Sequence, residues 1–515
     1  MVVAQRPTHR LVVGLALTSV LLTACGARLT ESQRVEALSA GRVASVLTDN
    51  AGAPLLDGTG KPVPGKRSSA APTTSVPVGT APTGPVASGK PGKVAPGSTA
   101  GSVPGDTGPG AAQLGNTRDA PAGGNGGATD TAVTGSEIVV SNVSDKSGAV
   151  PGLFLDAALA TQAYFAYFAA KEGTVYGRKI TYKSLDSQLD EGANRSASIE
   201  ACDSSFAMVG SLSAFDQGGA PVIKQCGIPD LRALATTDVM KAVPNVYSID
   251  ASGTGGSRSM APFGWAKERF PEAIKAAAYI YSDGAVTRQL EEQDAEGARV
   301  MLGFNWIAEL AMGVSETNYA PVVQQLKSKN VRYVTFVGAY QQAAALAKEF
   351  KKQGFTPDVF QPTVTAYTPN FIKSAGDAAN GVYVAVAPSL NEEIATNPEL
   401  QTYATWLKQV DPNAVPTGLG QFAWAAAALF VAKIKEVGPN LTRKALLDLM
   451  PAIHNYTGNG LFPGQDVGGR QLSDCTAVTQ VQNGRFVRIL PASGQRCVDG
   501  VWNSLTKTGG KGYPT

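Results

Sequence analysis

From residue 138 onward, short β-branched runs alternate with longer helix-like runs, and this alternation constrains the fold more than any other feature of the chain. Residues 138–143 read as a strand and 153–171 as an apolar-periodic helix. Residues 179–185 then read as a strand, 190–201 as a helix, 206–210 as a strand, and a further helix runs through Ile223. Such alternation argues for βαβ units and a parallel sheet. The pattern restarts after a Gly-rich break at 252–257. Helix SMAPFGWAKERF precedes strand AAAYIYS, and helix AVTRQLEEQDAEGARVML precedes FNWIAELAM. Helix APVVQQLKSKN then precedes YVTFVGA, and QAAALAKEFKKQG precedes DVFQP. Two successive α/β sheets imply two lobes. Open α/β sheets bind ligands beyond the carboxyl ends of their strands, so two lobes facing each other through those ends enclose a cleft.

The chain ahead of this region has a different character. Arg6, His9 and Arg10 precede an apolar run at 11–22, too short for a permanent membrane span, and small residues follow it. That is the pattern of an export signal. Leu22-Thr23-Ala24-Cys25 resembles a bacterial lipobox. The resemblance implies cleavage after residue 24 and lipidation of Cys25, which would hold the protein on the outer face of the cell membrane by its N-terminus. A membrane-proximal segment follows at 25–50. Residues 51–135 are Pro, Gly, Ser, Ala and Thr with hardly an aromatic, a composition expected to stay disordered. Roughly 85 such residues reach about 50 Å, which suits a tether.

The net charge of the 515 residues is only +3 and forms no basic block, so nucleic acid is not an expected partner. No second long apolar segment appears; FAWAAAALFVAKI at 422–434 is too short to span and reads as a buried helix. Besides Cys25, the chain has Cys202, Cys226, Cys475 and Cys497, an even number for an oxidising compartment. Cys202 and Cys226 end successive helices at one edge of the first sheet, and Cys475 and Cys497 flank a hairpin marked by Asn483-Gly484. The expected pairs are 202–226 and 475–497. A structural zinc site is the alternative, but no CxxC spacing supports it.

Several stretches, in order, resemble the branched-chain amino-acid-binding proteins of ABC importers. They are Tyr176-Gly177-Arg178-Lys179-Ile180, Val209-Gly210-Ser211-Leu212-Ser213, Ala233-Leu234-Ala235-Thr236-Thr237, Val337-Gly338-Ala339-Tyr340 and Ala379-Asn380-Gly381-Val382. The resemblance spans about 138–490. It implies a type I periplasmic binding protein fold: α/β, with two Rossmann-like parallel-sheet lobes joined by three crossovers. The expected division is a first lobe of 136–250 and 381–470, a second of 251–380 and 471–500, and a tail of 501–515. The region after 136 is expected to fold alone.

The resemblance also implies where a ligand sits. Ser213 and Ala214, with Leu234 and Thr236, match the loops that hold a ligand carboxylate. Helix capping explains Ser213 and Thr236 equally. Tyr340 would close over the ligand from the second lobe, or serve as a core tyrosine. Phe215 and Phe154 would line an apolar pocket or simply pack. Asp250 at the first crossover and Asp283 after YIYS would each suit a cation, although both also suit turns. The family's amine-binding glutamate corresponds to the end of Gln361-Pro362-Thr363, where this chain has Thr363. Leu153 stands at the family's first-lobe aromatic position, and the Tyr-Gly pair after Asp283 is missing. With the carboxylate donors kept and the amine partner lost, the expected ligand is an organic acid, an amide or a polar aromatic without a free α-amine.

Catalysis is not expected. Of the two histidines, His9 leaves with the signal, and His454 has no obvious partner in sequence. Gly253-Thr254-Gly255-Gly256 lacks the Lys-Ser/Thr of a phosphate loop. No cofactor or metal is expected. The expected partners are a small-molecule ligand, ABC permease subunits and, through the lipid, the membrane; the chain itself is expected to be a monomer. A ligand sensor on the same fold, or a structural envelope protein with a degenerate cleft, are the alternatives.

Overall fold

The computed structural model describes residues 116–251, 253 and 255–513. The export signal, Cys25, the segment 25–50 and linker residues 51–115 lie outside the described residues. The first lobe runs β1 (Glu137–Ser144), α1 (Leu155–Lys171), β2 (Lys179–Asp186), α2 (Glu191–Ser204), β3 (Ala207–Val209), α3 (Ala220–Cys226), β4 (Asp230–Arg232), α4 (Asp238–Lys241) and β5 (Val246–Ser248). Its strands lie in the order β2-β1-β3-β4-β5, all parallel. β1 lies inside the sheet, between β2 and β3, and is buried along nearly its whole length, as helices on both faces of a parallel sheet require. Asp190 starts α2 by accepting a hydrogen bond from the Ala193 amide.

The second lobe adds β6 (Ser257–Ser259), α5 (Ala261–Arg269), β7 (Ala277–Ser282), α6 (Ala285–Gly297), β8 (Trp306–Met312), α7 (Ala320–Ser328), β9 (Tyr333–Val337), α8 (Tyr340–Lys352), β10 (Val359–Pro362), α9 (Pro369–Ala375) and β11 (Tyr383–Val386). Its parallel sheet has the order β10-β9-β7-β8. The chain then returns to the first lobe for α10 (Pro398–Val410), α11 (Gly418–Val437) and α12 (Arg443–Leu449). α11 is buried on nearly every side; Phe422, Trp424 and Phe430 join the core formed by Ile138, Val140 and Phe206. Burying each of these large side chains stabilises the lobe by about 1.5–3 kcal/mol. An apolar helix of this kind belongs in a protein core. No helix among the described residues is long and apolar enough to cross a membrane.

A last crossing leads to β12 (Cys475–Gln482), β13 (Arg485–Leu490), β14 (Arg496–Cys497), β15 (Val501–Asn503) and β16 (Thr508–Gly510). Asn483 and Gly484 turn the β12–β13 hairpin with φ of 51° and 74°, the left-handed pair that such a tight turn demands. The expected disulfides Cys202–Cys226 and Cys475–Cys497 are both formed. The three crossovers and two parallel-sheet lobes are therefore as expected, but three boundaries move.

First, residues 381–386 belong to the second lobe. β11 pairs antiparallel with β12, and Val384 and Val386 share a core with Ile280 and Val334. The return crossing starts only after Val386. Second, 501–510 is no loose tail, because β15 pairs with both β16 and β6, and Trp502 is buried against Met260 and Trp265. Third, the folded region starts before residue 136. The amides of Tyr176 and Gly177 donate to the carbonyls of Thr117 and Arg118, at 2.7 and 2.6 Å. The buried Arg178 guanidinium donates to the carbonyls of Asn125, Gly127, Thr134 and Pro439. Residues 116–135 thus supply acceptors that a buried cation needs, a role their Pro/Gly-rich composition does not advertise.

Candidate ligand-binding site

β1, β3 and β4 end in loops built around two aspartates. Asp145, directly after β1, is fully buried. Its Oδ1 accepts from the Ser187 hydroxyl (2.6 Å), the Ser213 hydroxyl (3.0 Å) and the Leu189 amide (3.1 Å), and its Oδ2 from the Ala214 amide (2.7 Å). Burial raises its carboxyl pKa despite these bonds. Asp216 accepts from the amides of Thr236 (2.8 Å) and Thr237 (3.2 Å) and from the Thr237 hydroxyl (2.5 Å). It also pairs with Arg232 at 2.9 Å, and Arg232 lies 3.1 Å from Asp230. Burial pushes Asp230 up to about 6, opposed by Arg232 and reinforced by Asp216.

The expected carboxylate cradle is therefore already occupied. Ser213 is fully buried; its hydroxyl donates to Asp145 and accepts from the Phe215 amide at 3.1 Å. The Thr236 hydroxyl donates to the Ser213 carbonyl at 2.7 Å, which does bring these two residues together. Neither hydroxyl hydrogen is left for a ligand, contrary to the expectation that this pair supplies the donors. Ala214, Phe215 and Leu234 are half-buried at the same strand ends, whereas Phe154 is buried in the first-lobe core.

The second lobe's strand ends look different. Tyr340 opens α8, half-buried against the second-lobe core, and its hydroxyl has no hydrogen bond among the described residues. Thr363 follows β10, with its hydroxyl 3.2 Å from that of Thr365, which donates to the Gly338 carbonyl at 2.6 Å. Val364, between them, packs against the cores of both lobes. The two other candidates also stand at strand ends, Asp283 directly after β7 and Asp250 just beyond β5, where its amide donates to the Ala233 carbonyl at 3.0 Å. Asp283 is exposed and paired with Arg288 at 2.5 Å. Asp250 stands at the first crossover, where burial pushes its carboxyl up to about 6 against the pull of Arg258 and Lys241.

His454 does have a partner, with Nδ1 2.5 Å from Asp466 Oδ1, which also accepts from the Gly469 amide at 2.9 Å. Among the described residues no cluster of three His, Cys, Asp or Glu side chains is placed to hold a metal. The sequence reading missed Asp145 and Asp216. Each had a signal: Asp145 directly follows the β-branched strand IVVSNVS, and Asp216 directly follows the loop bearing Ser213 to Phe215.

A family model described as periplasmic binding protein matches residues 137–485. The chain belongs to the periplasmic binding protein family. Among solved structures, a fatty acid ABC transporter substrate-binding protein from Thermomonospora curvata is similar at TM-score 0.62 and 19% identity, over 72% of this chain and 95% of that one. An ABC-transporter solute-binding protein from R. palustris in complex with benzoate has TM-score 0.59 and 15% identity, over 70% and 98%. The branched-chain amino acid substrate-binding protein LivJ from Streptococcus pneumoniae, in complex with isoleucine, has TM-score 0.58 and 13% identity, over 69% and 100%. This periplasmic binding protein thus has the fold of ABC-transporter substrate-binding proteins, two of which hold ligands as different as benzoate and isoleucine.

Proposed function

We propose that this protein is an extracytoplasmic, lipid-anchored solute-binding protein that captures a small molecule between its lobes and presents it to an ABC permease. The observation that carries the reading is the placing of half-buried, partly polar loops at strand ends of both lobes. Ala214, Phe215, Leu234 and Thr236 stand on one lobe, and Tyr340 and Thr363 on the other. Three connections between the lobes permit them to close over a guest while holding their register. The apolar character of Phe215, Leu234 and Val364 favours a ligand with an apolar body, and the free Tyr340 hydroxyl favours one polar group on it. Lipidation of Cys25 would keep the loaded protein close to its permease.

Two experiments test this. A melting screen against amino acids, amides, alcohols, organic acids and sugars should find compounds that raise the melting temperature in a concentration-dependent way, since a ligand that binds only the folded state stabilises it. A flat response across the screen would count against a binding role. Replacing Cys25 with Ser should move the protein from the membrane fraction to the medium or leave it unprocessed. Full cleavage with unchanged membrane retention would refute the anchor.

A further inference from the structure

The first-lobe strand-end loops, where the resemblance places a ligand carboxylate, carry seven hydroxyl and amide donors that the chain uses itself. The Ser213 hydroxyl and Ala214 amide go to Asp145, and the Phe215 amide goes to the Ser213 hydroxyl. The Thr236 amide and both donors of Thr237 go to Asp216, and the Thr236 hydroxyl goes to the Ser213 carbonyl. The two aspartates differ in charge balance. Asp216 is matched by Arg232, whereas no ion pair involves Asp145 among the described residues.

We propose that Asp145 fills the anion-binding position of the first-lobe loops from within the chain, so that the cleft rejects carboxylates and takes uncharged or cationic ligands. This rests on the solute-binding reading above and narrows it to a ligand class. A carboxylate entering at Ala214 and Thr236 finds both hydroxyls and the amides of Ala214, Phe215 and Thr236 already bonded, so most of its lost hydration is not replaced. It also approaches a buried carboxylate that no neighbouring cation offsets, and like charges at short range in a poorly hydrated site repel strongly. An amide, alcohol or amine meets neither obstacle, and its polar group can use Tyr340 instead. The raised carboxyl pKa of Asp145 agrees with a site that already disfavours the negative charge it has. Of the expected ligands, an organic acid, an amide or a polar aromatic, the proposal keeps the uncharged ones and drops the acid, which assumed that the Ser213 and Thr236 donors were free.

The direct test is chemical rescue. The Asp145→Ala protein should melt lower than wild type, because four donors lose their acceptor. Sodium formate should then raise its melting temperature by about 3 °C or more, against sodium chloride at equal ionic strength, and leave wild type within about 1 °C. An equal rise in wild type, or no rise in the variant, overturns the proposal. Independently of whether the variant folds, wild-type calorimetry with matched pairs gives a second decision: isovalerate against isovaleramide, benzoate against benzamide, octanoate against octanamide. Amides should bind at least about tenfold tighter than their acids. Any acid that binds as tightly as its amide overturns the proposal. If no member of any pair binds, the solute-binding reading is what suffers, and the formate response still decides the position of Asp145.

Discussion

The strand-end loops of the two lobes use their polar atoms in opposite ways. In the first lobe, Asp145 and Asp216 gather hydroxyls and amides from six separate positions into closed networks. In the second lobe, Thr363 and Thr365 face each other, and the Tyr340 hydroxyl has no partner among the described residues. A satisfied buried network rigidifies and specifies one arrangement, while an unbonded hydroxyl at a half-buried position can serve a guest. The first lobe therefore reads as a fixed wall and the second as the side that chooses. The same division predicts where mutations act: on stability in the first lobe, and on binding in the second.

The largest effect should come from Asp216→Ala. It strips Arg232 of one partner in a fully buried site and leaves the donors of Thr236 and Thr237 without an acceptor. Breaking a buried pair from one side costs about 3–5 kcal/mol, readable as a lower urea midpoint. A loss under about 1 kcal/mol would mean that the first-lobe loops are held some other way, and the contrast would fail.

Arg178→Ala should come next, because each hydrogen bond from a charged donor to a carbonyl contributes about 1.5–3 kcal/mol and Arg178 makes several, some of which water can replace. We expect a net loss of about 2–4 kcal/mol. A chain beginning at residue 136 should show a comparable loss, since it lacks three of the four carbonyl acceptors. If it melts like one beginning at residue 116, the role of residues 116–135 is refuted.

A third effect is set by pH. The carboxyl of Asp230 sits at about 6 in the folded protein against 3.8 as its ordinary value. A raised carboxyl means that the folded state holds the proton more tightly. Its stabilising contribution is thus complete below about pH 4, falls as the pH rises to about 6, and changes no further above that. The full span is about 3 kcal/mol at most. Asp230→Asn should flatten this part of the urea stability profile, and a profile unchanged by the substitution would show that another group titrates there.

How much of this was legible in the sequence differs by the kind of force involved. Elements held by side-chain periodicity were readable: the alternating strands and helices, the buried α11, and the hairpin at Asn483-Gly484, where the turn itself demands those residues. Elements held by backbone pairing with distant chain were not. Residues 116–135 bury their carbonyls on Arg178, and β15 and β16 depend on β6, more than 240 positions away in the Val501–Ser259 pairing. Composition carries no record of such partners. At the site, strand ends located Ser213, Thr236 and Tyr340 on their loops, because parallel strands direct their carboxyl ends to one edge. What each polar atom does there could not be read, since it depends on Asp145 and Asp216, which face those loops only after folding.

The smallest change in stability should accompany the clearest change in function, at Tyr340. Removing a hydroxyl that has no partner among the described residues leaves nothing there unsatisfied, so Tyr340→Phe should shift stability by no more than about 0.5 kcal/mol. The ring that packs on the second-lobe core is kept, so closure of the lobes should be intact. If the hydroxyl holds the polar end of a ligand, affinity for the best compound from the melting screen should fall about tenfold, or about 1.4 kcal/mol. The loss should be in dissociation rate more than in association rate, as is usual among variants of one interface. Thr363→Val gives the matched control. Its hydroxyl already faces that of Thr365, so a ligand would have to compete for it, and the affinity change should be the smaller of the two. A Phe variant that binds as tightly as wild type while the Val variant loses affinity would reverse this order and make Thr363 the second lobe's contact.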